Sequence, residues 1–328
     1  MRHHRRRRRR TSGLTVTAAI AVVAAGAIAW ALLVHGQSAR SSPDGPLPFP
    51  LPTTPRSYIG VYSDGAPASY AGVKSFAEAT GVEPDIVSYY SGWYQPFQIG
   101  LASNAARNGA VPLVQIDPNG VSLAKIAAGE YDAYLSSYAE AVRAYRHPVI
   151  LSFGHEMNGS WYSWGYRNAS HAMFVAAWRH IVDVFRVLGA RNVTWLWTVN
   201  IINNTQAGKI PGPADWWPGS SYVNWVGIDG YYLKPSWAFA PLFGPTIAAV
   251  RELTKDPILI AETGAVPAAG QSAKIADLFA GIRTYDLLGL VWFDSMNPIN
   301  GEDYRLEAPS ALAAFRRDAG MTYKKPAY

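Results

Sequence analysis

From Ser57 onward, short apolar or β-branched runs recur along the chain with amphipathic stretches between them. Eight of these runs read as strands: Tyr58–Ser63, Ile86–Tyr90, Val111–Asp117, Pro148–Gly154, Val193–Val199, Trp225–Gly230, Pro257–Ala261 and Gly289–Asp294. They lack strict polar alternation, which fits strands covered on both faces. Tyr131–Tyr145, Ala172–Leu188, Pro245–Thr254 and Ala273–Thr284 carry helical spacing between them. Strands alternating with helices over about 270 residues predict an α/β chain folded as a (β/α)8 TIM barrel. An open doubly wound sheet is the alternative. No GxGxxG or GxxxxGK[ST] turn follows any strand, so its nucleotide-binding version has no support.

The chain holds more than a barrel. Arg5–Arg10 precedes Leu14–Val34, which is 21 residues without a charge. At 1.5 Å per residue, such a helix spans roughly the 30 Å of a bilayer core. Arginines before this run and none within it predict a cytoplasmic N-terminus with the bulk of the chain outside. Residues 1–13 therefore read as a basic cytoplasmic tail, and 14–34 as a transmembrane or signal-anchor helix. Residues 35–56 read as a Pro-rich linker and 57–328 as the barrel domain. Cleavage near Gly36–Ser38, with secretion, is the alternative, although signal peptides usually carry apolar regions of about 7–15 residues. Ser41–Pro55 has six prolines in fifteen residues and should be an extended spacer.

The formal charge of +6 belongs to that tail. Residues 1–40 hold eight arginines and no acid, leaving 21 basic and 23 acidic side chains in the other 288 residues, a net of −2. The folded part thus has no excess for a phosphate backbone, and nucleic acid is not an expected partner. The absence of cysteine excludes disulfides, thiolate metal sites and cysteine nucleophiles.

Barrels of this kind place their chemistry at the C-terminal strand ends. Asp64, Tyr90, Asp117, Glu156, Asn200, Asp229, Tyr231, Glu262 and Asp294 fall there. Glu156 follows strand 4 within Ile150–Gly165, ILSFGHEMNGSWYSWG, and Glu262 follows strand 7 within Pro257–Ala265, PILIAETGA. Strands three apart in a ring of eight face each other across the mouth. Glycoside hydrolysis uses such a pair, one carboxyl protonated at the leaving oxygen and one ionised at the anomeric carbon. His155, Trp161 and Trp164 around Glu156 form a setting that raises a carboxyl pKa. Tyr231 is a candidate donor to Glu262. The 12 tryptophans and 19 tyrosines also suit sugar faces, because a ring stacks on C–H groups while its polar edge bonds a hydroxyl. His155-Glu156 begins like a zinc His-Glu-x-x-His motif, but Gly159 stands where the second histidine belongs. No Gly-x-Ser-x-Gly turn is present for a serine hydrolase.

These residues resemble glycoside hydrolase family 26, the β-mannanase-type family of a large retaining clan of (β/α)8 barrels. The resemblance runs from Ser122–Tyr134 through Pro148–Gly165 to Thr198, and resumes at Val226–Tyr231 and Ile260–Glu262. It implies Glu156 as acid/base, Glu262 as nucleophile, and His155 as the family's residue before the acid. It further implies Tyr231 as the tyrosine bonding the nucleophile, and Trp161 and Trp292 as sugar platforms. Asp117, Asn158, Trp164, Asn200 and Asp229 are expected to bind substrate or support the site. Trp161, Trp164, Tyr166, Trp216, Trp217, Tyr231 and Trp292 are expected to line the cleft.

Two departures bear on the substrate. Thr263-Gly264 follows Glu262 where many members have Phe-Gly, and Gln115-Ile-Asp117-Pro118 stands where glucan-cleaving relatives often show Trp-Glu-Pro. The expectation is a membrane-tethered, extracytoplasmic retaining endo-β-glycosidase acting on β-mannan or β-1,3/1,4-glucan, with no metal or organic cofactor. A non-catalytic glycan-binding barrel and an envelope transglycosylase are the alternatives.

Overall fold

The computed structural model describes residues 51–202, 210–298 and 301–324. The expected tail, membrane helix and most of the linker lie outside the described residues. Among those described, no helix is long and apolar enough to cross a membrane. Contacts divide the chain into two compact units, Met1–Pro46 and Leu47–Tyr328, and the barrel lies in the second.

Eight parallel strands close into a ring in chain order. They are β1 Tyr58–Ser63, β2 Ile86–Gly92, β3 Val111–Asp117, β4 Val149–Phe153, β5 Val193–Asn200, β6 Trp225–Tyr232, β7 Ile258–Ala265 and β8 Gly289–Asp294. Around them lie α1 Ala71–Thr80, α2 Ile99–Arg107, α3 Leu123–Ala127, α4 Asp132–Tyr145, α5 His171–Val187, α6 Phe239–Leu253, α7 Gln271–Thr284 and α8 Pro309–Thr322. The (β/α)8 barrel expected from the alternation is the observed fold.

Period-2 alternation sends one set of strand residues into the ring and the other toward the helices. The inner set includes Tyr58, Ile86, Leu113, Ile150, Leu196, Trp225, Leu259, Ala261 and Val291, which form one apolar cluster. The outer set, among them Val87, Val114, Leu151, Trp197, Ile228, Ile260 and Trp292, packs against the helices in a second cluster. Leu51 belongs to the inner cluster, and Tyr58 donates its hydroxyl to the Pro52 carbonyl at 2.8 Å. The last residues assigned to the spacer therefore close the floor of the barrel, because Leu51 is apolar and the ring is open there.

Two element boundaries depart from expectation in ways that matter. The helix expected to start at Pro245 starts at Phe239, whose amide donates to Asp277 Oδ2 at 2.6 Å. Burial of Phe239, Leu242 and Phe243 holds the added turns despite the interior proline. Strand β7, expected to end at Ala261, continues to Ala265 and so contains Glu262. Its register against β6 slips between Ile228↔Ile260 and Asp229↔Glu262, leaving Ala261 as an extra residue.

Candidate active site

That slip aims Glu262. Leu259 and Ala261 both face the ring interior, so simple alternation would turn residue 262 outward. The bulge at Ala261 restores an inward direction at the strand end, as bulges beside functional sites do. Glu262 then meets two phenols. Tyr90, from β2, donates to Oε2, and Tyr231, from β6, donates to Oε1. Burial, and then the Glu262 charge, pushes both tyrosine pKa values well above their ordinary value, so both remain protonated donors. Tyr231 is held from behind by Tyr304, 4.4 Å between ring centres. A Cβ at Gly264 would lie 2.9 Å from that tyrosine ring, so this position needs glycine.

Glu156 is aimed differently. It lies three residues beyond β4, with φ of 54°, in the left-handed region that side chains other than glycine rarely occupy. Two devices hold this turn. The Glu156 amide donates to the Thr198 carbonyl at 3.0 Å. Asn158 and Asn200 also bond reciprocally: Asn158 Nδ2 to the Asn200 carbonyl at 2.8 Å, and the Asn200 amide to Asn158 Oδ1 at 2.9 Å. The carboxyl accepts Trp161 Nε1 at 2.6 Å on Oε2 and Asn200 Nδ2 at 2.5 Å on Oε1. Its pKa stands at about 7, raised chiefly by burial. Within that balance the Glu262 charge adds to the rise, and His155 and the two donors oppose it. The two glutamates therefore sense each other across the mouth.

His155 feels the charge of both. Its Nδ1 lies 3.2 Å from Asp117 Oδ1, at ion-pair distance without the alignment of a hydrogen bond, and its Nε2 meets the Tyr162 hydroxyl at 3.1 Å. Burial would lower the imidazole pKa, but the Asp117 charge, with Glu156 and Glu262 beyond it, overrides this and raises it to about 9. The ring therefore favours its protonated form, with Asp117 as its nearest acidic partner. Asp229, in register with Glu262, is completely buried, and neither of its oxygens has a hydrogen-bond partner among the described residues. Burial, then Glu262 and Glu156, pushes its carboxyl well above the ordinary range.

Of the residues singled out from sequence, Asp117, His155, Glu156, Asn158, Trp161, Asn200, Asp229, Tyr231 and Glu262 come together here. Trp292 does not. It lies on the outer face of β8, fully buried, with Nε1 on the Tyr304 carbonyl at 2.9 Å and its ring 5.9 Å from Phe315 of α8. The inward neighbour is Phe293, stacked on Tyr62 at 4.7 Å. Trp164 is also buried, parallel to Tyr162 at 4.3 Å and donating to the His155 carbonyl at 2.8 Å, so it backs the loop instead of lining a cleft. Trp216 is buried against Tyr166 and His171, and half-buried Trp217 packs on Trp197 at 4.9 Å. Trp161 is 39% exposed and does present a face. Tyr162 and Phe293 are site residues outside the sequence-based selection, and Tyr90, expected only as a strand-end residue, grips Glu262. Tyr90, Gln115 and Phe293 share the inward parity of their strands, a signal available once Ile86, Leu113 and Val291 are recognised as interior.

A model of glycosyl hydrolase family 26 matches residues 114–305, which include both glutamates. Over 279 residues the chain is 33% identical to Endoglucanase H of Acetivibrio thermocellus, covering 80% of this chain and 30% of that protein. Over 177 residues it is 28% identical to a beta-1,3-xylanase of an Alcaligenes species, covering 50% of this chain and 35% of that one. The chain thus spans about a third of the length of these curated relatives. Its fold is shared with a modular endo-beta-1,4-mannanase from Cellulomonas fimi, at a TM-score of 0.62 and 18% identity, covering 80% of this chain and 70% of that chain. By the extent of the family match, which takes in β4 through β8 and both carboxyls of the site, this chain belongs to glycosyl hydrolase family 26.

Proposed function

We propose that the barrel hydrolyses internal β-glycosidic bonds of a polysaccharide with retention of configuration. Glu262 attacks the anomeric carbon as Glu156 transfers its proton to the departing oxygen, so one C–O bond forms and one breaks. Glu156, now ionised, takes a proton from water, whose oxygen displaces Glu262 and frees the sugar. The observation that carries this reading is the contrast between the two carboxyls. Glu156 is buried and lifted to about 7, suited to giving and taking a proton. Glu262 is gripped on both oxygens by neutral phenols, which suits an anion that must be positioned before attack.

A β-glucan is the first candidate substrate, since the relative covering most of this chain is named an endoglucanase. β-Mannan follows, from the named activity of the structural neighbour. The membrane tether is part of the proposal and rests on Leu14–Val34 and the arginines before it.

Activity on mixed-linkage β-glucan, β-mannan and β-1,3-xylan tests the reading. Glu156→Ala and Glu262→Ala should each lower kcat by roughly 10²–10⁴-fold or more on whichever polymer the wild type cleaves. Full activity in either variant refutes the mechanism. A wild type that binds one polymer and cleaves none would be a glycan-binding barrel instead.

A further inference from the structure

Among the described residues, the large apolar side chains left exposed include two aromatics, Trp161 and Tyr94. Both sit on loops leaving the C-terminal ends of strands, Trp161 after β4 and Tyr94 after β2. Tyr94 is the more exposed, at 61%. Its backbone has φ of 70°, a conformation that disfavours bulky residues and is retained where the surroundings impose it. Neither feature is explained by core filling.

The turn carrying Tyr94 is built to be rigid. The Gly92 amide donates to Gln95 Oε1 at 2.9 Å, the Gln95 amide returns to the Gly92 carbonyl at 3.0 Å, and Tyr134 donates to the Gln95 carbonyl at 3.2 Å. Tyr131 and Tyr134, at the start of α4, set their rings 6.1 Å and 5.6 Å from that of Tyr94 in edge-on arrangements. Trp93 lies beneath, 4.9 Å from Tyr134 and 5.7 Å from Tyr131. These contacts support the Tyr94 ring, and its 61% exposure leaves much of it open to solvent. The cluster is also continuous with the site. The Trp93 amide donates to the Asp117 carbonyl at 3.0 Å, and the Asp117 side chain faces His155, which precedes Glu156.

We propose that Tyr94, supported by Trp93, Tyr131 and Tyr134, is a distal stacking platform for a β-linked polysaccharide chain whose scissile bond lies at Glu156 and Glu262. The inference rests on the glycosidase reading and extends it. A tyrosine-rich surface suits a ligand whose faces are C–H and whose edges are hydroxyls. A mouth with one such surface beside β4 and another beside β2 holds an extended chain at two points, which fits cutting within a polymer.

The test uses the full chain and the polymer that the wild type cleaves among mixed-linkage β-glucan, β-mannan and β-1,3-xylan. For Tyr94→Ala, the ratio of kcat/KM on long over short oligosaccharides of that polymer should fall roughly five- to tenfold, through KM. Tyr94→Trp should keep the ratio near that of wild type, and Tyr131→Ala should lower it less than Tyr94→Ala. Retardation of the same proteins in gels carrying each polymer reads the platform without requiring cleavage, and Tyr94→Ala should run faster than wild type. An unchanged ratio with unchanged retardation overturns the platform while leaving the glycosidase reading intact. Loss of a wild-type dimer in Tyr94→Ala, seen by light scattering, overturns it in favour of a protein interface. A wild type neither active on nor retarded by any polymer removes both readings.

Discussion

Glu156 joins a left-handed backbone to a carboxyl that accepts from both Trp161 and Asn200. Those donors favour its ionised form, while burial and Glu262 favour the protonated one, and the balance stands at about 7. If the protonated form starts the reaction, kcat/KM should decline on the basic side of that value, about tenfold per pH unit. Trp161→Phe keeps a ring for the sugar and removes one donor to the anion. The pKa should then rise, because the ionised form has lost a partner, and the basic limb should move upward by about one pH unit. A pH profile of the variant measures this, and an unmoved limb would detach Trp161 from the proton. The two tryptophans named as platforms should also separate cleanly. Trp292→Ala should cost about 3–5 kcal/mol of folding stability in urea titrations, as a buried aromatic does. Trp161→Ala, at a partly exposed position, should raise KM with much less effect on stability.

At the scale of elements, each glutamate is delivered by an irregularity, a bulge at Ala261 for one and a left-handed turn braced by Asn158 and Asn200 for the other. Asn158→Ala breaks the buried reciprocal pair and leaves Asn200 groups unsatisfied, at a cost of about 1–3 kcal/mol. The Glu156 turn should loosen as well, so kcat should fall along with Tm; a lowered Tm with wild-type kcat would show that the turn holds without this brace. These irregularities mark the limit of what the sequence makes legible. Strand positions followed from apolar runs such as Val111–Asp117, and Glu156 and Glu262 were visible because their runs end there. The bulge was hidden, since PILIAETGA carries no glycine or proline at Ala261 to announce it. Trp292 faces outward because it stands one residue from inward-facing Val291, and an aromatic identity alone carries no parity. Tyr90 was placed at a strand end, but its grip on Glu262 comes from β2 and β7 meeting across the ring, which no local pattern encodes.

For the whole molecule, the closed ring places every loop carrying chemistry at one end and closes the other with Leu51. Leu51 thus lies at the floor, while the described site residues, from Tyr62 to Tyr304, gather at the mouth. Every described partner of Glu156 and Glu262 follows Leu51, so the proposed tether can be tested separately from the site. If Leu14–Val34 is an uncleaved anchor, the full chain should sediment with membranes and stay there through a carbonate wash. Deleting residues 1–40 should move most of it into the supernatant without altering kcat/KM on the preferred polymer. Mass spectrometry of the membrane-bound protein should then recover the peptide containing Arg40, still joined to the residues before it. Recovery instead of a mature N-terminus beginning shortly after Gly36–Ser38, with the protein in the medium, would identify Leu14–Val34 as a signal that is removed and the enzyme as secreted.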